Sequence, residues 1–147
     1  MHEIAGKAVC FKEAMLPSFK TYQQQVIDNA KALAKVLKDG GLKLVSGGTD
    51  NHLMLIDLTS LGISGQEAEK ALGEIGLVAN KNKIPFDEKS ATVTSGIRLG
   101  TPNITSRGMG LLEMDILGNI ILERLKNKQS VEALRKEVHK LAAAFMA

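Results

Sequence analysis

The sequence predicts an α/β domain of the α+β type: a small, mostly antiparallel sheet, covered by helices on one face and preceded by a long kinked N-terminal helix. Three observations carry this. Apolar residues recur every three or four positions over residues 3–38 and again in two blocks near the C-terminus. Between them lie four short apolar runs bounded by Gly, Asp and Asn. No internal repeat and no low-complexity stretch points to another architecture.

Ile4, Ala8, Phe11, Met15 and Phe19 form one stripe, and Tyr22, Val26, Ala30, Leu33 and Leu37 continue it. Pro17 lies inside that stripe, where its missing N–H and its ring predict a kink or a restart. The helix ends at "DGG" (39–41), since glycine suits a C-cap. Its first turns have no earlier element to pack against. The segment therefore reads as cut from a longer chain, with an apolar surface on residues 3–38 that favours self-association.

"LKLVS" (42–46) and "HLMLIDL" (52–58), joined by "GGTDN", read as hairpin strands. "SGQEAEKALGEIG" (64–76) reads as a helix opened by a capping box, with Ser64 at the cap and Glu67 three residues on. Residues 77–80 are expected to form a third strand, followed by the polar loop "KNKIPFDEKSAT". "GIRLG" (96–100) is the fourth strand. Two helices close the chain. One covers residues 105–125, and the second starts at Ser130 with Val131, Leu134, Val138, Leu141 and Phe145 on one face.

With 147 residues the chain can bury a real core, and 44% hydrophobic with 24% charged residues fits a soluble globular domain. No apolar run approaches a bilayer span, and the N-terminus lacks a signal-like core, so neither a membrane nor export is expected. The net charge of +3 is spread along the chain, and aromatics are only 3% with no Trp. Nucleic-acid binding, which clusters basic residues and uses aromatic stacking, is disfavoured. Cys10 is the single cysteine, which excludes an intrachain disulfide and fits a reducing, cytoplasmic compartment. On its helical stripe it reads as a small core residue rather than a nucleophile.

His2, His52 and His139 are scattered, and no spacing matches a zinc site, so no metal is expected. "DNH" (50–52) reads as side chains bonding turn backbone. "SGGTDN" lacks the lysine and spacing of a phosphate loop. Cys10 and His139 fall on separate helices, with no sign of a nucleophile–base pair. No catalytic residue is expected in this chain.

Residues 80–102 differ. Asn80 and Asn82 can donate and accept hydrogen bonds, "KSATVTSG" supplies hydroxyls, and Arg98 then appears on a strand. Arginine cannot discard its charge, and its planar fork best matches a carboxylate. That carboxylate is either an internal Asp or Glu or a ligand, and the residues leave both open. Arg107, in "TSRG" at the expected start of a helix, reads as structural, because a cation there opposes the helix dipole.

"TYQQQVIDNAKALA", "VSGGTDNHLMLIDL", "NKNKIPFDEKS" and "TSGIRLGTPNITSRG" together closely resemble the C-terminal part of serine hydroxymethyltransferases. The resemblance runs over essentially the whole chain. It implies the aspartate-aminotransferase-type fold (fold-type I), with residues 1–38 as a linking helix and 39–147 as the C-terminal small domain. It implies a pyridoxal 5'-phosphate enzyme that interconverts serine and glycine with tetrahydrofolate as one-carbon carrier, and an oligomer of at least two copies. Arg98, in "SGIR", matches the position that binds the amino-acid carboxylate. Ser90, Ala91 and Thr92 match the folate site, and Asn82 matches an asparagine near the pterin. Members often have Ser-Pro-Phe where this chain has Ser-Ala-Thr, which removes an aromatic contact. The family's "TTTHK"-like cofactor-lysine motif does not occur here. The chain alone is therefore expected to bind no cofactor and to be inactive. Two other readings stand beside this one. The first is a free-standing regulatory or interaction domain that binds a small carboxylate. The second is the small domain of another pyridoxal phosphate enzyme such as an aminotransferase, against which the folate-side motifs argue.

Overall fold

The computed structural model describes residues 1–145. In place of one kinked helix there are two, α1 (His2–Ala14) and α2 (Pro17–Asp39). The chain breaks at Met15 and Leu16, and Pro17 occupies the first turn of α2, where a missing N–H costs nothing. The apolar stripe divides at the same point. α1 buries no residue, whereas α2 buries Val26, Asn29, Ala30, Leu33, Ala34 and Leu37. Cys10 is exposed rather than a core residue, because the helix that carries it buries nothing.

The sheet has the order β1-β2-β4-β3 and is antiparallel throughout. Its strands are β1 (Lys43–Leu44), β2 (Leu53–Asp57), β3 (Asn80–Asn82) and β4 (Gly96–Gly100). The expected hairpin forms, but β1 is only two residues long. Val45–Gly47 leaves the ladder as a 3-10 turn with Ser46 at φ 63°. Asn51 works as the turn chemistry requires, its side-chain oxygen accepting from the Leu53 N–H at 2.9 Å. The third strand begins at Asn80 rather than at 77. Gly76, at φ +89°, turns the chain out of the preceding helix, and Leu77 and Ala79 then pack against the core instead of pairing.

α3 (Gly65–Glu74) opens with the predicted capping box. The Ser64 hydroxyl accepts from the Glu67 N–H at 3.2 Å, and the Glu67 carboxylate accepts from the Ser64 N–H at 2.7 Å. The helix expected over 105–125 is two helices, α4 (Pro102–Ser106) and α5 (Leu111–Leu125). Gly108 turns the chain at φ +95°, and Glu113 restarts it by accepting from the Gly110 N–H at 2.8 Å. The fully buried Asn29 side chain fixes this corner, donating to Thr105 Oγ1 and to the Met109 carbonyl, both at 2.9 Å. α6 (Val131–Ala143) is capped by Ser130 and buries Leu134 and Val138.

Met54, Ile56, Ile97 and Leu99 point from the sheet into one core with Leu33, Leu37, Leu72, Met114 and Leu134. The helices from α2 onward cover that face, as the α+β reading expects, while α1 buries nothing. No described helix is long and apolar enough to cross a membrane.

Candidate functional site

Alternation along β4 decides where Arg98 goes. Ile97 and Leu99 are buried in the core, so the residue between them faces the open side of the sheet. The register sets Leu55 of β2 opposite it on one side and Asn80 of β3 on the other. Such partners have Cβ atoms about 4.5–5.5 Å apart. Arg98 is exposed, and among the described residues its guanidinium makes no hydrogen bond and no ion pair.

Of the two carboxylates left open, the internal acid is not found among the described residues. Asp57 shares this face but is held by Lys43 at 2.7 Å and by the Thr59 N–H and hydroxyl. Burial pushes its carboxyl up, but the Lys43 and Thr59 hydrogen bonds outweigh that and hold it below the ordinary value. Glu69 is held by Lys81 on the opposite face, at 3.0 Å. Among the described residues no carboxylate engages the Arg98 fork.

The strand beneath it is firmly fixed. Buried Thr101 donates from Oγ1 to the Val26 carbonyl at 2.8 Å and from its N–H to the His52 carbonyl at 3.0 Å. The Tyr22 hydroxyl donates to the Pro102 carbonyl at 2.9 Å. Gly96 is required, because a Cβ there would meet Ile84 at 2.7 Å and the Asn82 and Ile56 carbonyls at 2.9 Å.

Asn82 is half-buried in β3, directly across from Gly96, and its side chain donates to the Lys83 carbonyl at 2.8 Å. Ser90, Ala91 and Thr92 are exposed at a turn, with the Ser90 and Thr92 hydroxyls 2.9 Å apart. The Val93 and Thr94 N–H groups donate to the Ser90 carbonyl at 3.1 and 2.9 Å. The N-terminus of α3 ties the loop down: the Gly65 and Gln66 N–H groups donate to the Thr94 and Val93 carbonyls, both at 3.0 Å. A Cβ on Gly65 would lie 2.0 Å from Thr94 Oγ1. Thr94 itself is buried at φ +57°, a strained value for a β-branched residue.

Asp87 organises the interior of the loop. Its carboxylate accepts from the Ile84 N–H (3.2 Å), the Lys89 N–H (3.0 Å), the Ser95 N–H (2.8 Å) and the Ser95 hydroxyl (2.8 Å). Burial alone would raise its pKa, but these bonds lower it to about 2.

The fold thus brings Asn82 and the 90–92 turn onto the same strand-and-loop unit as Arg98. It separates Arg107 from them. Arg107 caps the C-terminal end of the short α4, where a cation agrees with the helix dipole, and not the N-terminal end of a long helix. The difference follows from the break at Gly108. Arg107 lines an apolar groove of about 570 Å³ with Leu72, Met109, Ile121 and Val138, and Arg98 is not part of it. Among the described residues no group of three His, Cys, Asp or Glu side chains is placed to hold a metal.

Sequence reasoning reads Asn80 only as a hydrogen-bonding group, and strand register is what sets it opposite Arg98. It passes over Asp87 altogether. The available signal was an Asp two residues before the Lys89 N–H, the spacing of an Asx-turn.

The comparisons with known proteins agree on one family. The family model described as serine hydroxymethyltransferase matches residues 1–121. The chain is similar to the serine hydroxymethyltransferase of Desulforapulum autotrophicum, with 52% identity over 99% of this chain and 35% of that protein. It is 53% identical to the protein of the same name from Methanospirillum hungatei, over 99% of this chain and 36% of the relative. The Koribacter versatilis protein is also 53% identical, over 99% and 35%. The chain therefore spans about a third of the length of the curated relatives it matches.

Proposed function

Because the chain belongs to the serine hydroxymethyltransferase family, we propose that it supplies the wall of an active site that holds the amino-acid carboxylate and faces folate. The full-length enzyme interconverts serine and glycine and moves a one-carbon unit to or from tetrahydrofolate. The observation that carries this reading is Arg98, exposed on a rigid central strand with no acid of its own among the described residues. Two parallel charge-assisted bonds from its fork would fix a substrate carboxylate in position and orientation. Binding at this non-reacting group is then used to orient the reacting carbon. Asn82, Ser90, Ala91 and Thr92 make the folate-facing part, through backbone and hydroxyl groups in place of an aromatic ring.

The family implies pyridoxal phosphate, whose own chemistry stabilises the carbanion. The residues of this chain do not fit that cofactor by themselves. The two lysines of the sheet, Lys43 and Lys81, are engaged by Asp57 at 2.7 Å and Glu69 at 3.0 Å. Lys81 also faces the side of the sheet away from Arg98. The cofactor's contacts therefore fall to the rest of the full-length protein, and the chain alone is without turnover. The division into a linking segment (1–38) and a small domain (39–147) is part of the same reading; α1, which buries nothing, suits a linking segment, whereas α2 packs Ala30, Leu33, Ala34 and Leu37 into the core shared with the sheet. The exposed apolar residues of α1 also support an oligomer of at least two copies, and free Cys10 suits a cytoplasmic location.

The test is Arg98→Lys in the full-length enzyme. An ammonium cannot reproduce the fork, so kcat/KM for serine should fall by about a hundredfold or more. Near-normal kinetics would overturn the assignment.

A further inference from the structure

We propose that Asp87 is a positioning residue of this face: its carboxylate clamps the two arms of the 83–95 loop together and so sets where Ser90, Ala91 and Thr92 stand relative to Arg98. The inference rests on the folate-facing reading of residues 90–92.

Four donors from three residues converge on this one side chain. Ile84 lies on the arm leaving β3, Lys89 lies just before the turn, and Ser95 lies on the arm entering β4. The two bonds to Ser95 join residues eight apart in sequence, and they act where the chain is otherwise least inclined to stay. Next to Ser95 stands Thr94 in the left-handed region, a conformation that persists only when its surroundings over-determine it. The α3 N-terminus holds Thr94 from one side, and Asp87 holds its neighbour from the other. Ser95 also passes the constraint to the sheet, its carbonyl accepting from the Leu58 N–H at 2.9 Å.

A carboxylate is the right group for this place because every partner is a donor. An amide at 87 would turn an NH2 toward at least one N–H or O–H. Arg98 itself does not depend on the clamp, since β2 and β3 hold β4 on both sides. Loosening the loop should therefore weaken folate binding and spare the carboxylate site, a split that general destabilisation would not give.

Two measurements test this. In the chain itself, Asp87→Asn should speed amide exchange at Lys89 and Ser95 by about tenfold while β2 and α2 are unchanged. In the full-length holoenzyme, Asp87→Asn should raise KM for tetrahydrofolate by about tenfold and leave KM for serine within about twofold. Ser95→Ala removes one donor and should move both readouts less, in the same direction, should the first variant fold poorly. Unchanged exchange would overturn the clamp. Unchanged folate KM, or a joint loss of serine and folate binding, would overturn the positioning role. A wild-type full-length enzyme indifferent to folate would instead overturn the folate reading, with the exchange result still deciding the clamp.

Discussion

The same strands present two unlike faces. Met54, Ile56, Ile97 and Leu99 point into the helices and are almost wholly buried, while on the other face Asn80 and Arg98 are exposed and Leu55 and Asn82 are half-buried. One face is held by close packing with α2 and α3, which α5 backs in turn. The other makes few bonds of its own and is held in shape from behind. That division lets an arginine stay unpaired among the described residues without loss of the fold. The packed side fixes the backbone and leaves the other side free to carry polar groups.

The comparison can be broken from either side. Ile56→Ala, on the closed face, should cost about 2–5 kcal/mol, read as a lower urea midpoint. If it costs no more than a surface change, the sheet is not held from that side. Arg98→Ala in the isolated chain should shift the same midpoint by about 0.5 kcal/mol or less, although the residue is central in the sheet. A larger loss would mean that Arg98 has a structural partner after all.

Acid sharpens the contrast further. Asp57 and Asp87 both have folded pKa values below the ordinary Asp value of 3.8, Asp87 near 2. The unfolded chain takes up these protons first. The stability they contribute is therefore complete above pH 3.8 and is lost as pH falls toward the folded values. The urea midpoint should drop between about pH 5 and about pH 2, and Asp87→Asn should flatten part of that slope. An unchanged slope in the variant would contradict the bonding seen around Asp87.

The closed face was legible because burial leaves a periodic trace. "GIRLG" reads as a strand, and the spacing of Ser64 and Glu67 gives the start of α3; the direction of Arg98 came with the burial of Ile97 and Leu99 on either side of it. Breaks in that trace were harder to read. Gly76 and Gly108 end elements through positive φ, so the third strand begins late and the helix after β4 divides. The move of Arg107 from one helix end to the other followed from the second of these. Asp87 was illegible for another reason. Two of its four partner groups belong to Ser95, eight residues away, and only the folded loop brings them together. The family assignment came from four motifs in order, not from any pattern that packing leaves.

α1 has thirteen residues and buries none of them. A helix of that length in water is marginal without tertiary support. Its turns should come and go while the rest of the chain stays folded, and the joint at Met15 and Leu16 would then be open to a protease. A nick there would release Ile4, Val9 and Phe11 with the peptide and leave the core from α2 onward intact. The part that follows would be cleaner to handle, for it would have shed much of the sticky surface of the chain.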